Sequence, residues 1–316
     1  MKAVNLGQVE YGENLKHYLM VTTSEVRKAK NDSLFLDIVL KDSFGNEING
    51  KLWNALPEME IYQRGMVVAV DGLIQKFNGR PQLKINKIRP TNEGDDVNPE
   101  DFIESAPETA EEMLGLLYAT IEQFENEELK KVTRFLLKKK EERLAYYPAA
   151  KTHHHAIKAG LLFHIVTMLR LAKSISGEYS FINKDLLYAG VMLHDLSKVD
   201  EMSSDELGIV DDYTKEGKLL GHIIQGIKEL ELACVELEID EEVKLALEHL
   251  LLSHHYHAEY GSPKKPLLPE GELLHYIDLI DARMYAMDKV LQNTEKGTFA
   301  QKSMTLDGRS MYKADL

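Results

Sequence analysis

A chain of 316 residues, 44% of them hydrophobic, is long enough for two domains and can fill two cores. Its single cysteine, Cys234, excludes an intramolecular disulfide framework and a cysteine-based zinc site. No stretch approaches the roughly 18 uninterrupted apolar residues of a membrane span, and MKAVNLGQVEYGENLKHYLM lacks a signal-peptide pattern, so a soluble cytoplasmic protein is expected. The net charge of −14 is unevenly placed. Residues 1–90 carry 13 Lys and Arg against 10 Asp and Glu, a formal +3, which leaves −17 for the remainder. The front can face a polyanion while the rear holds cations, because local patches set binding more than global pI does.

From about residue 15 to 90 the pattern is strand and turn. LFLDIVL (34–40) is followed by the turn-forming KDSFGN (41–46) and by EINGKLW (47–53). MVVAVDGLIQKF (66–77) leads into Asn78-Gly79, a strong hairpin signal, and then RPQLKINKI (80–88). Short β-rich runs of this number predict a small barrel over residues 1–90. The acidic, proline-containing stretch 91–109 reads as an interdomain connector. Residues 110–292 then carry about seven segments with apolar residues three and four apart, from EEMLGLLYATIEQF (111–124) to EGELLHYIDLIDARMYAMDKVLQ (270–292), and predict an all-α domain. KDLLYAGVMLHDLSK (184–198) reads as one helix, and the polar, glycine-containing 293–316 as an extended tail.

The helical domain carries His164, the adjacent pair His194-Asp195, His222, His254-His255 and Asp278. They stand at gaps of 30, 28, 32 and 23 residues, each wide enough for one helix and a loop. A lone histidine on an apolar helix face is usually a core residue, but a series at helix-sized gaps predicts helices converging inward-facing His and Asp on a divalent metal. Imidazole with carboxylate suits Mn²⁺, Fe²⁺, Co²⁺ or Zn²⁺. Asp195, with two oxygens, is the natural bridge if two ions bind: His164, His194 and Asp278 complete one shell, and His222 with His254 or His255 the other. Such a centre activates water for phosphoester hydrolysis. Lys198, four residues past His194, faces the same pocket along a helix and contacts a phosphate oxygen. His153-His154-His155 reads as a polar loop, the alternatives being a cluster that supports the ligands or a loop that contacts substrate. His257 reads as a supporting or exposed residue, His275 as a neighbour of the site, Asp281 as a cap or salt-bridge residue that could substitute for Asp278, and Met284 and Met287 as core.

On the barrel, Lys51 and Trp53 share one strand face, and Gln82, Lys84 and Asn86 alternate with Leu83 and Ile85. With Phe77 and Arg80 near the hairpin tip, this face suits base stacking and phosphate tracking. The alternative is that Trp53 and Phe35 fill the barrel core.

The order H…HD…H…HH…D resembles the HD-domain metal-dependent phosphohydrolase superfamily. HHAIKAGLLFH (154–164), AGVMLHDLSK (189–198), LLGHI (219–223), LLSHHYHAEYGSPKKP (251–266), LLHYIDLIDARM (273–284) and LDGRSMY (306–312) resemble the YhaM-type 3′-5′ exoribonucleases, which join an OB-fold to an HD domain. The resemblance implies metal binding by His164, His194, Asp195 and Asp278, with His222, His254 and His255 as further ligands. The metal expected is Mn²⁺ or a similar divalent ion (Co²⁺, Fe²⁺ or Mg²⁺), one or two in number. Phe163, Ala159, Tyr256 and His257 depart from the family pattern around these ligands without removing one. The implied activity is removal of nucleoside 5′-monophosphates from the 3′ end of single-stranded RNA, and of single-stranded DNA besides. Asp195 and Lys198 stand at the chemistry; Lys51, Trp53, Phe77, Arg80 and Lys84 hold the strand. Two rivals stay open: a nucleotide or cyclic-nucleotide phosphohydrolase regulated by the barrel, and a non-catalytic single-strand binder. A homo-oligomer is compatible with each.

Overall fold

The computed structural model describes residues 4–29, 31–150 and 155–316. The chain divides into two compact units, Met1–Glu104 and Ser105–Leu316. In the first unit, β1 (Asn14–Lys28), β2 (Leu34–Lys41), β3 (Glu47–Trp53), β4 (Val67–Phe77) and β5 (Arg80–Pro90) close a barrel in the order β1-β2-β3-β5-β4. β3 and β5 run parallel and the other neighbours antiparallel, the OB-fold arrangement. Period-two alternation sends Leu36, Ile38, Leu40, Ile48, Val68, Val70, Ile74, Leu83 and Ile85 inward. Asn78 and Gly79 both adopt positive φ, as a tight hairpin between β4 and β5 requires.

Part of the acidic connector packs onto this barrel. Asp95 accepts hydrogen bonds from the Tyr18 hydroxyl at 2.8 Å and from both terminal guanidinium nitrogens of Arg89, and Phe102 is buried. The break between units therefore falls after Glu104, inside the 91–109 stretch.

The second unit contains α1 (Ala110–Ile121), α2 (Glu127–Leu144), α3 (Gly160–Ser176), α4 (Lys184–Leu193), α5 (Lys198–Glu201), α6 (Lys215–Leu237), α7 (Glu241–Ser253) and α8 (Pro269–Gln292). Their apolar faces enclose one core that includes Leu137, Leu161, Ile165, Leu187, Val191, Leu230, Leu250, Leu274 and Ile277. Three features depart from the pattern expected of the sequence. The segment 184–198 is not one helix: α4 stops at Leu193 and a turn over 194–197 precedes α5. A hairpin of β6 (Met202–Ser204) and β7 (Val210–Tyr213) stands between α5 and α6. The tail is not simply extended, because β8 (Thr298–Phe299) and β9 (Tyr312–Lys313) pair with each other, Leu306 is fully buried, and Arg283 bonds Asp307 at 2.8 Å. No helix among the described residues is long and apolar enough to cross a membrane.

Candidate metal centre and nucleic-acid face

The seven expected ligand residues meet in space. One atom each from His164, His194 and Asp278 gathers within 4.8 Å, and so does one each from Asp195, His222, His254 and His255. Asp195 joins the two groups. Its Oδ2 lies 3.4 Å from His194 Nε2 and 3.8 Å from His164 Nε2, whereas its Oδ1 lies 3.2 Å from His222 Nε2 and 3.7 Å from His254 Nε2. His164 Nε2 is also 3.4 Å from Asp278 Oδ1.

The backbone explains how these groups converge. Ending α4 at Leu193 puts His194 and Asp195 on a turn, so two adjacent side chains reach one pocket instead of diverging by the 100° of a continuing helix. Gly221, at φ 70° and ψ 164°, interrupts α6 just before His222, whose backbone N–H reaches Glu201 Oε1 at 3.3 Å. Gly160 opens α3 where a Cβ would stand 2.0 Å from the His155 carbonyl oxygen, so a side chain there displaces the His155 segment.

Every histidine of the centre has its Nδ1 engaged on the far side. His194 Nδ1 donates to the Val191 carbonyl at 2.9 Å, His254 Nδ1 to Leu251 at 2.8 Å and His255 Nδ1 to Tyr260 at 2.6 Å. His164 Nδ1 meets Asp281 Oδ2 at 2.7 Å and His222 Nδ1 meets Glu201 Oε2 at 3.2 Å. Carbonyls and carboxylates only accept, so a proton sits on each Nδ1 and Nε2 is the nitrogen turned inward. This is how metal-binding histidines are oriented by their outer partners.

The inner atoms fit a cation. His194 Nε2, His222 Nε2, His254 Nε2 and Asp195 Oδ1 are buried with no well-formed hydrogen bond. Leaving each so costs about 1–3 kcal/mol unless a ligand satisfies it. The carboxylates of Asp195 and Asp278 are held well below the usual range: burial opposes this, and the Lys198 charge on Asp195 and the His164 bond on Asp278 overcome it. His164 is raised to about 10, with burial resisting and Asp278 and Asp281 prevailing. A pocket that holds a proton so firmly is one a dication enters favourably. His254, by contrast, is driven well below its ordinary value, first by burial and then by its histidine neighbours. Nitrogen and carboxylate donors together suit a divalent transition ion.

Lys198 reaches the centre through the turn rather than along a continuous helix, and its Nζ pairs with Asp195 Oδ2 at 2.6 Å. Burial would lower its pKa, but the Asp195 charge raises it, so the side chain stays cationic. Next to the ligands, a cavity of about 520 Å³ is lined by Asp195, Lys198, Tyr213, Tyr260, His275 and Asp278, among others.

Three residues outside the expected set orient it. Asp281 takes the salt-bridge role expected of it, in a buried position: its Oδ2 receives both His164 Nδ1 and His155 Nε2, the latter at 2.8 Å. His155 is buried and stacked 3.9 Å from Tyr285, not part of a merely polar loop. His153 and His154 lie outside the described residues. Glu201 supports His222. Asp281 stands one turn after Asp278 on α8, the only signal in the sequence that it shares the pocket side. Met284 is half exposed rather than core.

On the barrel, Lys51, Trp53, Phe77, Arg80 and Lys84 all lie on the outer surface. Trp53 is 46% exposed and Phe77 51%, which removes Trp53 from the core; its ring packs 5.2 Å from Phe35. Lys51 Nζ sits 4.7 Å above Phe35 and 5.8 Å from Phe77. Lys84 is in register with Lys51, and Arg80 faces Phe77 across the hairpin. Trp53 also borders a groove of about 570 Å³ that includes Lys16, Tyr18, Lys87 and Arg89, residues the strand pattern had not singled out.

A helical unit that converges His and Asp from five elements on a shared carboxylate defines an HD-type divalent-metal-binding domain, and residues 161–283 match the HD domain family. Over 305 residues, 96% of each chain, the protein is 44% identical to the 3′-5′ exoribonuclease YhaM of Bacillus subtilis (strain 168). It is 45% identical over 304 residues, again 96% of each, to the 3′-5′ exoribonuclease YhaM of Listeria welshimeri serovar 6b. The chain belongs to the YhaM family. The second OB-fold domain of replication protein A from Methanococcus maripaludis aligns with 30% of this chain and 98% of that domain, at 17% identity and a TM-score of 0.24.

Proposed function

We propose that the protein is a metal-dependent 3′-5′ exoribonuclease that hydrolyses single-stranded RNA, and single-stranded DNA as well, to nucleoside 5′-monophosphates in the cytoplasm. The observation that carries this reading is the Asp195 carboxylate, one oxygen facing His164 and His194 and the other facing His222 and His254. Near-complete alignment with proteins named as 3′-5′ exoribonucleases supports the substrate and direction.

His164, His194 and Asp278 would hold one divalent ion and His222, His254 and His255 a second if two bind, with Asp195 available to either. A divalent ion, Mn²⁺ on this donor set, supplies Lewis acidity and lowers the pKa of water from about 15.7 to about 7. Lys198, kept cationic beside Asp195, neutralises a phosphate oxygen as a point charge. Asp281 and Glu201 fix the rings of His164 and His222, so the lone pairs face the pocket before substrate arrives. On the barrel, Trp53 and Phe77 offer faces to bases while Lys51, Arg80 and Lys84 follow the backbone charge.

Gel analysis of a 5′-labelled single-stranded RNA with Mn²⁺, Mg²⁺ or chelator tests the reading. The expected result is a ladder shortening from the 3′ end that chelator abolishes. Internal cuts in place of single-nucleotide steps, or turnover of free nucleotides with intact RNA left untouched, refutes it.

A further inference from the structure

His275 lines the cavity beside the metal centre but belongs to neither ligand group. Its Nδ1 lies 2.9 Å from the backbone carbonyl of His254. That oxygen only accepts, so Nδ1 is the donor and Nε2 is the nitrogen left to meet a ligand. Nε2 has no hydrogen-bond partner among the described residues. The ring is steadied by Tyr256 at 4.9 Å and Tyr276 at 5.3 Å. With Nδ1 as the donor, Nε2 is an acceptor that water or a donor group of a bound ligand satisfies.

Phosphate oxygens are acceptors and cannot supply it. The donors of an RNA 3′ end are its sugar hydroxyls and the N–H groups of its base. His275 stands one helical turn before Asp278 on α8, close to the place where the scissile phosphate is bound. The group joined directly to that phosphate is the terminal ribose. Farther from the ligands, the more exposed rings of Tyr213 and Tyr260 stand on the cavity wall, where a base stacks. The volume, about 520 Å³, falls within the range of roughly 300–1,000 Å³ that holds small ligands.

We propose that His275 Nε2 accepts a hydrogen bond from a hydroxyl of the 3′-terminal ribose and thereby selects the sugar of the nucleotide to be released. This rests on the exoribonuclease reading above. A site built around a substrate hydroxyl discriminates against the analogue lacking it, because its own polar group is then left unpaired. The 2′ hydroxyl is also what distinguishes RNA from DNA.

The test uses the 316-residue protein with Mn²⁺ and three oligoribonucleotides of one sequence, ending in a ribonucleotide, a 2′-deoxynucleotide or a 3′-deoxynucleotide. His275→Asn keeps a donor for the His254 carbonyl and deletes the Nε2 acceptor, whereas His275→Gln extends an amide oxygen towards the Nε2 position. With unchanged metal content and melting temperature, His275→Asn is expected to lower kcat/KM about ten-fold on the ribonucleotide end. It should act less than about two-fold on whichever deoxy end lacks the recognised hydroxyl. Partial recovery in His275→Gln is the second expected result, and the deoxy end that becomes insensitive identifies the hydroxyl. An equal loss on all three ends, no loss on any, or a loss that follows the terminal base overturns the proposal. If the unsubstituted protein releases no mononucleotide from any of the three, the exoribonuclease reading falls first, and this inference with it.

Discussion

Asp281→Asn isolates the contribution of orientation to metal binding. One oxygen of Asp281, Oδ2, receives His164 Nδ1 at 2.7 Å and His155 Nε2 at 2.8 Å, and the residue is buried. Asparagine preserves the shape but removes the charge. A hydrogen bond to a charged group contributes about 1.5–3 kcal/mol and a neutral one about 0.5–1.5, so two weakened bonds cost about 2 kcal/mol. The titration of Asp281 leads to a similar figure. Burial pushes its carboxyl up, but the bonds to His155 and His164 prevail and bring it from 3.8 down to about 2. That depression corresponds to about 2.5 kcal/mol. If half or more of this is felt at the ligand nitrogen of His164, Mn²⁺ affinity should fall about 10- to 70-fold, within the range measured for outer-shell partners elsewhere. Competition with a fluorescent chelator at pH 7.5 reads this directly. The sign in pH also follows. A carboxyl with a depressed folded-state pKa contributes stability that is present above about pH 4 and is lost as pH falls through about 2. The metal-free parent should therefore lose more stability between pH 4 and 2 than Asp281→Asn does, as measured by urea melts. Unaltered Mn²⁺ affinity together with an unaltered acid limb would mean that Asp281 does not support His164.

Three further outcomes are expected. Trp53→Ala and Phe77→Ala should each weaken single-strand binding by about 1–3 kcal/mol, five- to 150-fold in fluorescence anisotropy, while hydrolysis of a small chromogenic phosphodiester stays within two-fold; equal losses in both assays would give the barrel a role in the chemistry. Chelation should lower the melting temperature of the helical unit, because a ligand at 100 times its Kd contributes about 2.7 kcal/mol to the folded state; calorimetry showing no shift would argue against a folding-linked ion. Cys234 is buried, with its thiol pushed up to about 11 by burial, so about one molecule in a thousand is thiolate at pH 8. A chromogenic disulfide reagent should therefore label it only as the protein unfolds, and fast labelling of the native protein would place Cys234 at the surface.

Where function imposed its own spacing, the sequence was readable. β3 runs over Glu47–Trp53, as EINGKLW predicted, because strict alternation and flanking turn residues leave one register with Ile48 inward and Lys51 and Trp53 outward. That these seven residues would gather was legible because His and Asp on apolar helix faces are costly unless something binds them. The interruptions were harder to read. Nothing local distinguishes KDLLYAGVMLHDLSK from a continuous helix, since its apolar residues keep helical spacing through Leu196; the turn is imposed by tertiary demands on His194 and Asp195. Gly221 was visible as a glycine, yet only coordinates show that it breaks α6 at positive φ. Glu201 was missed as a support, and Asp281 and His155 could not be assigned to particular histidines, for a related reason. A carboxylate that steadies an imidazole looks, in one dimension, like any charged residue on a helix, and its role exists only as a distance to a side chain far along the chain. The barrel face was legible in its residue types, but whether Trp53 pointed in or out depended on register, which single strands do not disclose.

The turn between α4 and α5 carries the one carboxylate common to both halves of the centre. Lengthening or shortening that turn by a residue would swing Asp195 away from His164 and His222 together, so the two side-chain clusters stand or fall as one. Insertions among relatives should therefore collect elsewhere, for instance in the β6–β7 hairpin, and a protein that has abandoned hydrolysis should betray it first within the four residues 194–197.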